Sequence, residues 1–324
     1  MSCGIGELAL VTGASGFVGA RLLSALGADG VPLRILSRIR RNQQNEVIGD
    51  LKDALSLSSA CESVCTVFHC AGYAHAFSAV NQHEAILHRK INFEGTRNLA
   101  DAAGKAGVRR FVFLSSVKAM AEPGDCCVDE DYAGLPGTDY GRAKRAAEEA
   151  VLEAGVRYGM HVVNLRLAMV YGAGGRGNLE RMGKLIRFGM FPPLPETGNH
   201  RSLVHVNDVV SAIRLVVRDP RAAGRTYIVA NEFAPSGRQL YDTIRAVSGL
   251  PHRAWSLPSF WLQGMARVGD CLGGVSGQRM PLDSEVLQRL LGSAWYSPAR
   301  IKSELGWGAQ ISLADGLSEM MASR

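Results

Sequence analysis

The sequence predicts an α/β chain: a doubly wound parallel sheet first, then mainly a smaller C-terminal lobe. Three observations carry this. Short apolar runs alternate with helix-period segments between Leu8 and Leu167, the pattern of strand–helix–strand crossovers. The first run opens into a glycine-rich turn that leads straight into a helical pattern. Beyond Tyr171-Gly172 the alternation gives way to the glycine-rich Gly172–Gly177 and to Phe191–Pro195 with its prolines. We expect one unit over 1–171 and a second over 172–324, with a segment near 201–231 returning to the first.

Leu8–Val11 reads as the first strand. Thr12-Gly13-Ala14-Ser15-Gly16-Phe17-Val18-Gly19 follows, and a helical pattern runs through Ala20–Leu26. Strand, glycine turn and helix in this order form the setting of a dinucleotide-binding loop of the Rossmann type. Gly13 permits the tight turn, Gly16 lets the backbone approach a pyrophosphate, and Gly19 allows close helix–strand contact. Ser15, Phe17 and Val18 complete the expected contact set, and the free N–H groups of the helix start supply the anion site.

Leu33–Leu36 is the next strand and ends on Ser37-Arg38. A carboxylate at this place would accept hydrogen bonds from the ribose hydroxyls, whereas an arginine suits a 2′-phosphate. Arg38, with Ser37 and Arg40 or Arg41, therefore favours NADP(H). A solvated basic loop that also admits NAD(H) is the alternative.

Val47–Leu51 looks like another strand end, with Asp50 and Leu51 placed to flank an adenine. Val64–Cys70 is a buried strand leading into the small-residue turn Ala71-Gly72-Tyr73-Ala74-His75. A helix over Ala85–Ala103 contains Asn92. Arg110–Leu114 is a strand closing on Ser115-Ser116, and Val162–Leu167 is a further one. Helices near Leu179–Phe188, Val206–Val217 and Gly237–Ser248 and a strand at Thr226–Ala230 complete the layout. Ligands of such sheets sit beyond the strand C-termini, where the glycine loop, Ala71, Gly72, Ser116 and the segment after Arg166 all fall. His75 is a candidate contact to the ligand or a solvated loop residue, and Lys118 stands in the same position two residues past Ser116. Cys70 reads as a small core residue.

Tyr140-Gly141-Arg142-Ala143-Lys144 places a phenol and an ammonium four residues apart at a helix start, so both project from one face. A fixed positive charge beside a phenol stabilises the phenolate and lowers its pKa. The pair reads as a tuned proton donor, with no metal implied.

Composition excludes several other classes. Hydrophobic residues make up 47% and charged residues 20% of the chain, the balance of a globular protein with a sizeable core. The net charge of +6 is spread along the chain except at Arg38, Arg40 and Arg41, a poor footprint for nucleic acid. The cysteines, at 3, 61, 65, 70, 126, 127 and 271, form no CxxC pair, and their number is odd, so reduced thiols in the cytoplasm are expected. Met1–Glu7 carries no basic leader region. Every apolar stretch falls well short of the ~20 residues of a membrane span. Phe260–Leu272 is apolar and amphipathic, and it reads as a packing helix or a membrane-surface contact.

With these motifs in this order, the chain resembles the extended short-chain dehydrogenase/reductase family, more narrowly its sugar-nucleotide epimerases, dehydratases and ketoreductases. The resemblance runs from Leu8 to about Trp307, and Glu304-Leu305-Gly306-Trp307 is similar to a common C-terminal signature of that group. It implies that Tyr140 is the general acid/base and that Ser116 hydrogen-bonds the reacting oxygen. It further implies that Lys144 lowers the tyrosine pKa and holds the nicotinamide ribose, and that Asn92 is structural. Members often pair helices into a homodimer, so a possible homodimer is implied too.

Leu114-Ser115-Ser116-Val117-Lys118, Gly177-Asn178-Leu179 and Pro193-Leu194-Pro195 with Arg201-Ser202-Leu203-Val204 resemble one branch. That branch comprises bacterial reductases of UDP-linked 4-keto-6-deoxy-N-acetylhexosamines, used for quinovosamine- or fucosamine-type sugars of surface polysaccharides. It implies that Asn178 contacts the diphosphate or nucleotide and that Arg201 contacts the diphosphate, a pairing guanidinium makes bidentately. A structural arginine is the alternative. Ala119-Met120-Ala121-Glu122 and Leu167-Ala168 depart from the branch and family patterns near the pocket.

The leading expectation is NADPH-dependent reduction of the C4 ketone of such a sugar. An NAD-dependent UDP-sugar 4-epimerase uses the same three residues and is the second reading. A nucleotide-binding sensor or scaffold without catalysis is the third.

Overall fold

The computed structural model describes residues 7–40, 45–73, 82–175, 177–276 and 283–322. The first half contains β1 (Ala9–Thr12), α1 (Phe17–Ala28), β2 (Leu33–Ser37), β3 (Glu46–Ile48), α2 (Ala54–Cys61) and β4 (Thr66–His69). Then come α3 (Gln82–Leu87), α4 (Gly95–Lys105), β5 (Arg110–Ser116), β6 (Cys127–Val128), α5 (Asp139–Tyr158) and β7 (His161–Leu167). The second half contains β8 (Met169–Tyr171), α6 (Asn178–Arg187), β9 (Leu203–His205), α7 (Val206–Val216) and β10 (Arg225–Val229). It ends with α8 (Gly237–Val247), α9 (Ser259–Ser276), α10 (Ser284–Leu291), β11 (Trp295–Tyr296), α11 (Ala299–Leu305) and α12 (Leu313–Ala322).

Seven strands form one sheet in the order β10-β7-β5-β4-β1-β2-β3. Every neighbouring pair is parallel, with Val11 opposite both Ile35 and Phe68, and Leu165 opposite Tyr227. Strand order reverses between β1 and β4, which opens a crevice where their C-termini diverge. The strands are buried on both faces because helices cover both. Val11, Val112, Leu165 and Tyr227 pack with Leu22 and Leu26 of α1 and with Val209 and Ile213 of α7. Their sequence neighbours Leu10, Phe111 and Phe113 point the other way, with the side-chain period of two, onto Leu99 and Ala103 of α4 and Ala147 and Val151 of α5. Each such side chain contributes about 1.5–3 kcal/mol of burial. A third cluster joins Leu179, Met182 and Ile186 of α6, Leu240 and Ile244 of α8, Leu262 of α9 and Leu317 of α12.

Several boundaries differ from the sequence expectation for physical reasons. β4 covers only Thr66–His69, because Ser63 takes positive φ just before it and Cys70 ends the ladder. The single helix expected over Ala85–Ala103 begins at Gln82, ends at Lys105 and is π-helical across His88–Glu94. The extra residue in that turn is invisible to a 3.6-residue periodicity. Arg225–Val229 joins the large sheet as its edge strand, and α7 packs on α1. Two short parallel pairs, β6 with β11 and β8 with β9, were not legible beforehand.

Candidate active site

The glycine turn is shaped by close approach. Gly13 has φ +69°, and a Cβ there would lie 2.6 Å from the Ala71 nitrogen. A Cβ on Gly19 would stand 2.2 Å from the Gly13 carbonyl oxygen, so only glycine lets α1 sit this near the turn. Gly16 N–H donates to Gly13 O at 2.9 Å, which closes the loop. Gly16 is the N-cap of α1; no side chain caps that end and no acidic residue occupies its first turn. An uncapped helix N-terminus behind a turn that admits no Cβ fits a pyrophosphate. Ser15, Phe17 and Val18 line the same turn and first helical turn.

Around it the two strand ends are joined by buried polar groups that the sequence did not single out. Thr12 Oγ1 lies 2.7 Å from His69 Nδ1 and accepts from Ala71 N–H at 3.2 Å. His69 Nε2 lies 2.9 Å from Thr96 Oγ1, and that hydroxyl donates to the Asn92 carbonyl at 2.7 Å. Asn92, carried by the π-helical turn, clamps the backbone after β4. Its Oδ1 accepts from Tyr73 N–H at 2.7 Å and its Nδ2 donates to Tyr73 O at 2.8 Å. This holds Ala71 and Gly72 at the crevice. A Cβ on Gly72 would meet Asn92 Oδ1 at 3.2 Å and Lys144 Nζ at 3.5 Å. Burial and the Lys144 charge push the His69 imidazole down to about 3, so it is neutral.

Tyr140 and Lys144 lie on the first turns of α5, which Thr138 caps by accepting from Gly141 N–H at 3.1 Å. Gly141 is required here, since its Cβ would stand 2.1 Å from the Lys118 carbonyl oxygen. That contact seats α5 on the 3₁₀ turn Val117–Ala119 following Ser116. This brings the Tyr140 phenol to Ser116, whose side chain acts to lower the phenol's pKa, and the His88 ring meets the Tyr140 ring edge-on at 5.5 Å. Lys144 Nζ donates to Leu114 O at 2.8 Å and stands 4.6 Å over the Phe113 ring.

One electrostatic expectation is corrected. Burial raises the Tyr140 phenol above its ordinary value, only partly offset by the Ser116 hydrogen bond. The Lys144 ammonium is itself pushed down to about 8 by burial, against the raising charge of Glu148. Cys70, half-buried beside it, is pushed up to about 12 by desolvation and stays a thiol.

Glu148, one helical turn past Lys144, is the second group missed by sequence reasoning. It accepts from Ser115 Oγ at 2.5 Å and from Arg166 Nε at 3.0 Å and Nη2 at 2.8 Å. The signal was present: a charged Arg166 inside the apolar strand His161–Leu167 needs a buried partner.

The other candidates lie as follows. Arg38 is exposed directly after β2, and Ser37 turns its hydroxyl onto Ile39 O at 2.7 Å. Asp50 Oδ1 accepts from Lys52 N–H at 2.9 Å. Leu51 is buried against Gly95, whose Cβ would stand 2.8 Å from the leucine Cβ. Lys118 is exposed and pairs with Glu122 at 2.5 Å. Asn178 is exposed at the start of α6. Arg201 is half-buried, with Nη1 donating to Gly292 O at 3.4 Å. Arg201 also pairs with Ala294 in a parallel bridge, one residue before β11. His75 and Arg41 lie outside the described residues.

Residues 9–230 match the NAD dependent epimerase/dehydratase family. The chain belongs to that family. It is 28% identical over 321 residues to a UDP-glucose 4-epimerase of Vibrio cholerae, covering 96% of this chain and 93% of that one. It is 31% identical over 285 residues, 81% of each chain, to Sterol demethylase protein B of Methylococcus capsulatus. A short-chain dehydrogenase/reductase superfamily protein from Agrobacterium tumefaciens, solved with bound NAD, superposes with a TM-score of 0.74. It is 25% identical and aligns over 98% of this chain and 97% of its own. As a member of this family, the chain is an NAD(P)-dependent oxidoreductase or epimerase with a parallel Rossmann sheet. No described helix is long and apolar enough to cross a membrane.

Proposed function

We propose that this chain reduces, with NADPH, the C4 ketone of a UDP-linked 4-keto-6-deoxy-N-acetylhexosamine. The observation that carries it is Arg38, exposed at the end of β2 where no carboxylate stands. A guanidinium there attracts a 2′-phosphate, and a dissociable NADPH serves net reduction. The sugar itself rests on the resemblance of the Leu114–Lys118, Asn178 and Arg201 segments to such reductases and on the UDP-sugar relative.

When bound, the cofactor supplies hydride to the carbonyl carbon. The chain provides the rest. The Tyr140 hydroxyl, kept protonated by burial, donates its proton to the oxygen as negative charge forms there. Ser116 donates a hydrogen bond to the same oxygen, a stabilisation felt most where the charge is fullest. Lys144, on the same helix face, carries the positive charge that faces the crevice beside Gly72. Ala71 and Gly72 keep the crevice open for close approach, and Arg201 and Asn178 take the diphosphate.

The test is an assay of the purified chain with the UDP-linked 4-keto sugar and either NADPH or NADH. Stoichiometric NADPH oxidation with appearance of the 4-hydroxy sugar is expected. Interconversion of UDP-hexoses without added cofactor would instead establish the second reading, a 4-epimerase, which the Vibrio cholerae relative favours. Nucleotide binding without turnover of either kind would leave the sensor reading.

A further inference from the structure

α9 has more apolar surface than its packing uses. Leu262, Ala266 and Gly269 form a buried stripe at helical spacing. The adjoining stripe, Trp261, Met265 and Val268, is exposed, with Trp261 at 61% and Val268 at 58%. Phe260, 65% exposed, lies against the Trp261 ring at 5.5 Å. The segment leading into α9 adds exposed Trp255, whose ring lies under the Arg253 guanidinium at 5.7 Å. A hydrogen bond of 2.9 Å from Leu257 N to Pro193 O ties this segment to the chain leaving α6, where Phe188 and Met190 are exposed as well. Single exposed apolar residues are ordinary, but a linked group of this size marks an interaction surface.

Charge says what covers it. Within residues 184–194 and 252–272 the basic residues are Lys184, Arg187, Arg253 and Arg267, and the acidic one is Asp270. Asp270 is engaged by Ser284, which donates from both its N–H and its hydroxyl. Lys184 and Arg187 are exposed in the last turn of α6, and Arg267 is exposed on α9. Exposed tryptophan and phenylalanine with a basic fringe, on a helix that does not span, form the pattern of a helix lying in a lipid interface.

We propose that α9 and its lead-in dock this chain peripherally on an anionic bilayer surface. Phe260, Trp261, Met265 and Val268 enter the headgroup boundary, and Lys184, Arg187 and Arg267 face anionic lipid. The inference is independent of the substrate assigned above.

Co-sedimentation with vesicles of phosphatidylglycerol and phosphatidylcholine, against phosphatidylcholine alone, tests it on the full chain. Binding to the anionic vesicles is expected, with a blue shift of tryptophan emission and weakening as salt is raised. The Lys184→Glu/Arg187→Glu variant should bind roughly tenfold less or worse, and Trp261→Ser/Met265→Ser should bind more weakly with a smaller emission shift, Trp255 being retained. Both variants change exposed side chains and should keep the melting temperature of the parent. No binding to anionic vesicles by the parent chain would overturn the proposal. So would equal binding by the charge variant, or a dimer that Trp261→Ser/Met265→Ser dissolves.

Discussion

His69 Nδ1 lies 2.7 Å from Thr12 Oγ1, and this contact joins the last residue of β4 to the last residue of β1 across the reversal of strand order. The same ring reaches Thr96 with its other nitrogen and stacks on Phe113 at 5.4 Å. Phe113 also carries the Lys144 ammonium over its ring at 4.6 Å, so the glycine turn and Lys144 share neighbours through this one imidazole and phenylalanine.

That imidazole makes the fold sensitive to acid. Its folded value of about 3 lies below the ordinary 6.5, so the unfolded chain binds the proton first. The stability is complete above pH 6.5 and is lost as pH falls toward 3, at about 1.4 kcal/mol per pH unit. Urea unfolding at pH 7 and pH 4.5 should show a loss of ~3 kcal/mol in the parent from this group. A His69→Gln variant should be weaker at pH 7 but lack this component of the slope. Parallel pH profiles for the two proteins would contradict the assignment.

Lys144 sets the alkaline limit of activity. With a value of about 8 it loses its charge well below the ordinary 10.5, while the Tyr140 phenol, raised by burial, keeps its proton there. Ketone reduction should therefore hold through neutral pH and decline above about pH 8 in kcat/KM. Folding responds in the opposite sense. The unfolded lysine keeps its proton up to 10.5, so stability rises between pH 8 and 10.5 by up to ~3 kcal/mol. Lys144→Met should abolish that rise and cut turnover, measured by melting curves and by steady-state rates on one preparation. Tyr140→Phe should lower turnover by about 10²–10⁴-fold with NADPH binding nearly unchanged.

What could be read from the sequence had local causes, and what could not had non-local ones. Gly13, Gly16 and Gly19 announce a turn because the backbone itself needs them, and Tyr140 and Lys144 share a helix face by spacing alone. The alternation of strands and helices fixed the sheet, though not the parallel pairs β6–β11 and β8–β9, which join residues far apart in the chain. The π-helical turn at Asn92 breaks the very period by which helices are recognised. His69 read as one more strand residue, since nothing local shows that Thr12 and Thr96 converge on it. Spacing shows that Tyr140 and Lys144 leave one helix face, but not that burial of the phenol outweighs the groups that lower it, nor that Nζ ends on the Leu114 carbonyl.

Arg38 should decide cofactor preference. It is exposed at the β2 end, and its side chain makes no hydrogen bond or ion pair among the described residues, so Arg38→Asp should leave the melting temperature unchanged. The carboxylate would repel a 2′-phosphate and accept from ribose hydroxyls. The ratio of kcat/KM for NADPH over NADH should fall by roughly tenfold or more, as expected when one charge-assisted contact is replaced by repulsion. An unchanged ratio would place the 2′-phosphate contact elsewhere or favour NAD.

Glu148 and Arg166 form a buried pair, at 3% and 5% side-chain exposure, directly beneath the catalytic face of α5. Removing one partner strands the other charge, a loss of about 3–5 kcal/mol in comparable pairs. Glu148→Gln should therefore lower the urea midpoint sharply. Arg166→Met/Glu148→Leu should recover much of it, because two apolar groups need no partner. The pair also reaches the chemistry: Glu148 raises the Lys144 value by its charge, so its removal should move the alkaline limb of kcat/KM to lower pH. A Glu148→Gln enzyme that is destabilised but keeps the parent pH profile would make the pair purely structural. A shift of the limb, measured well below the melting temperature, makes Glu148 a positioning residue acting through Lys144.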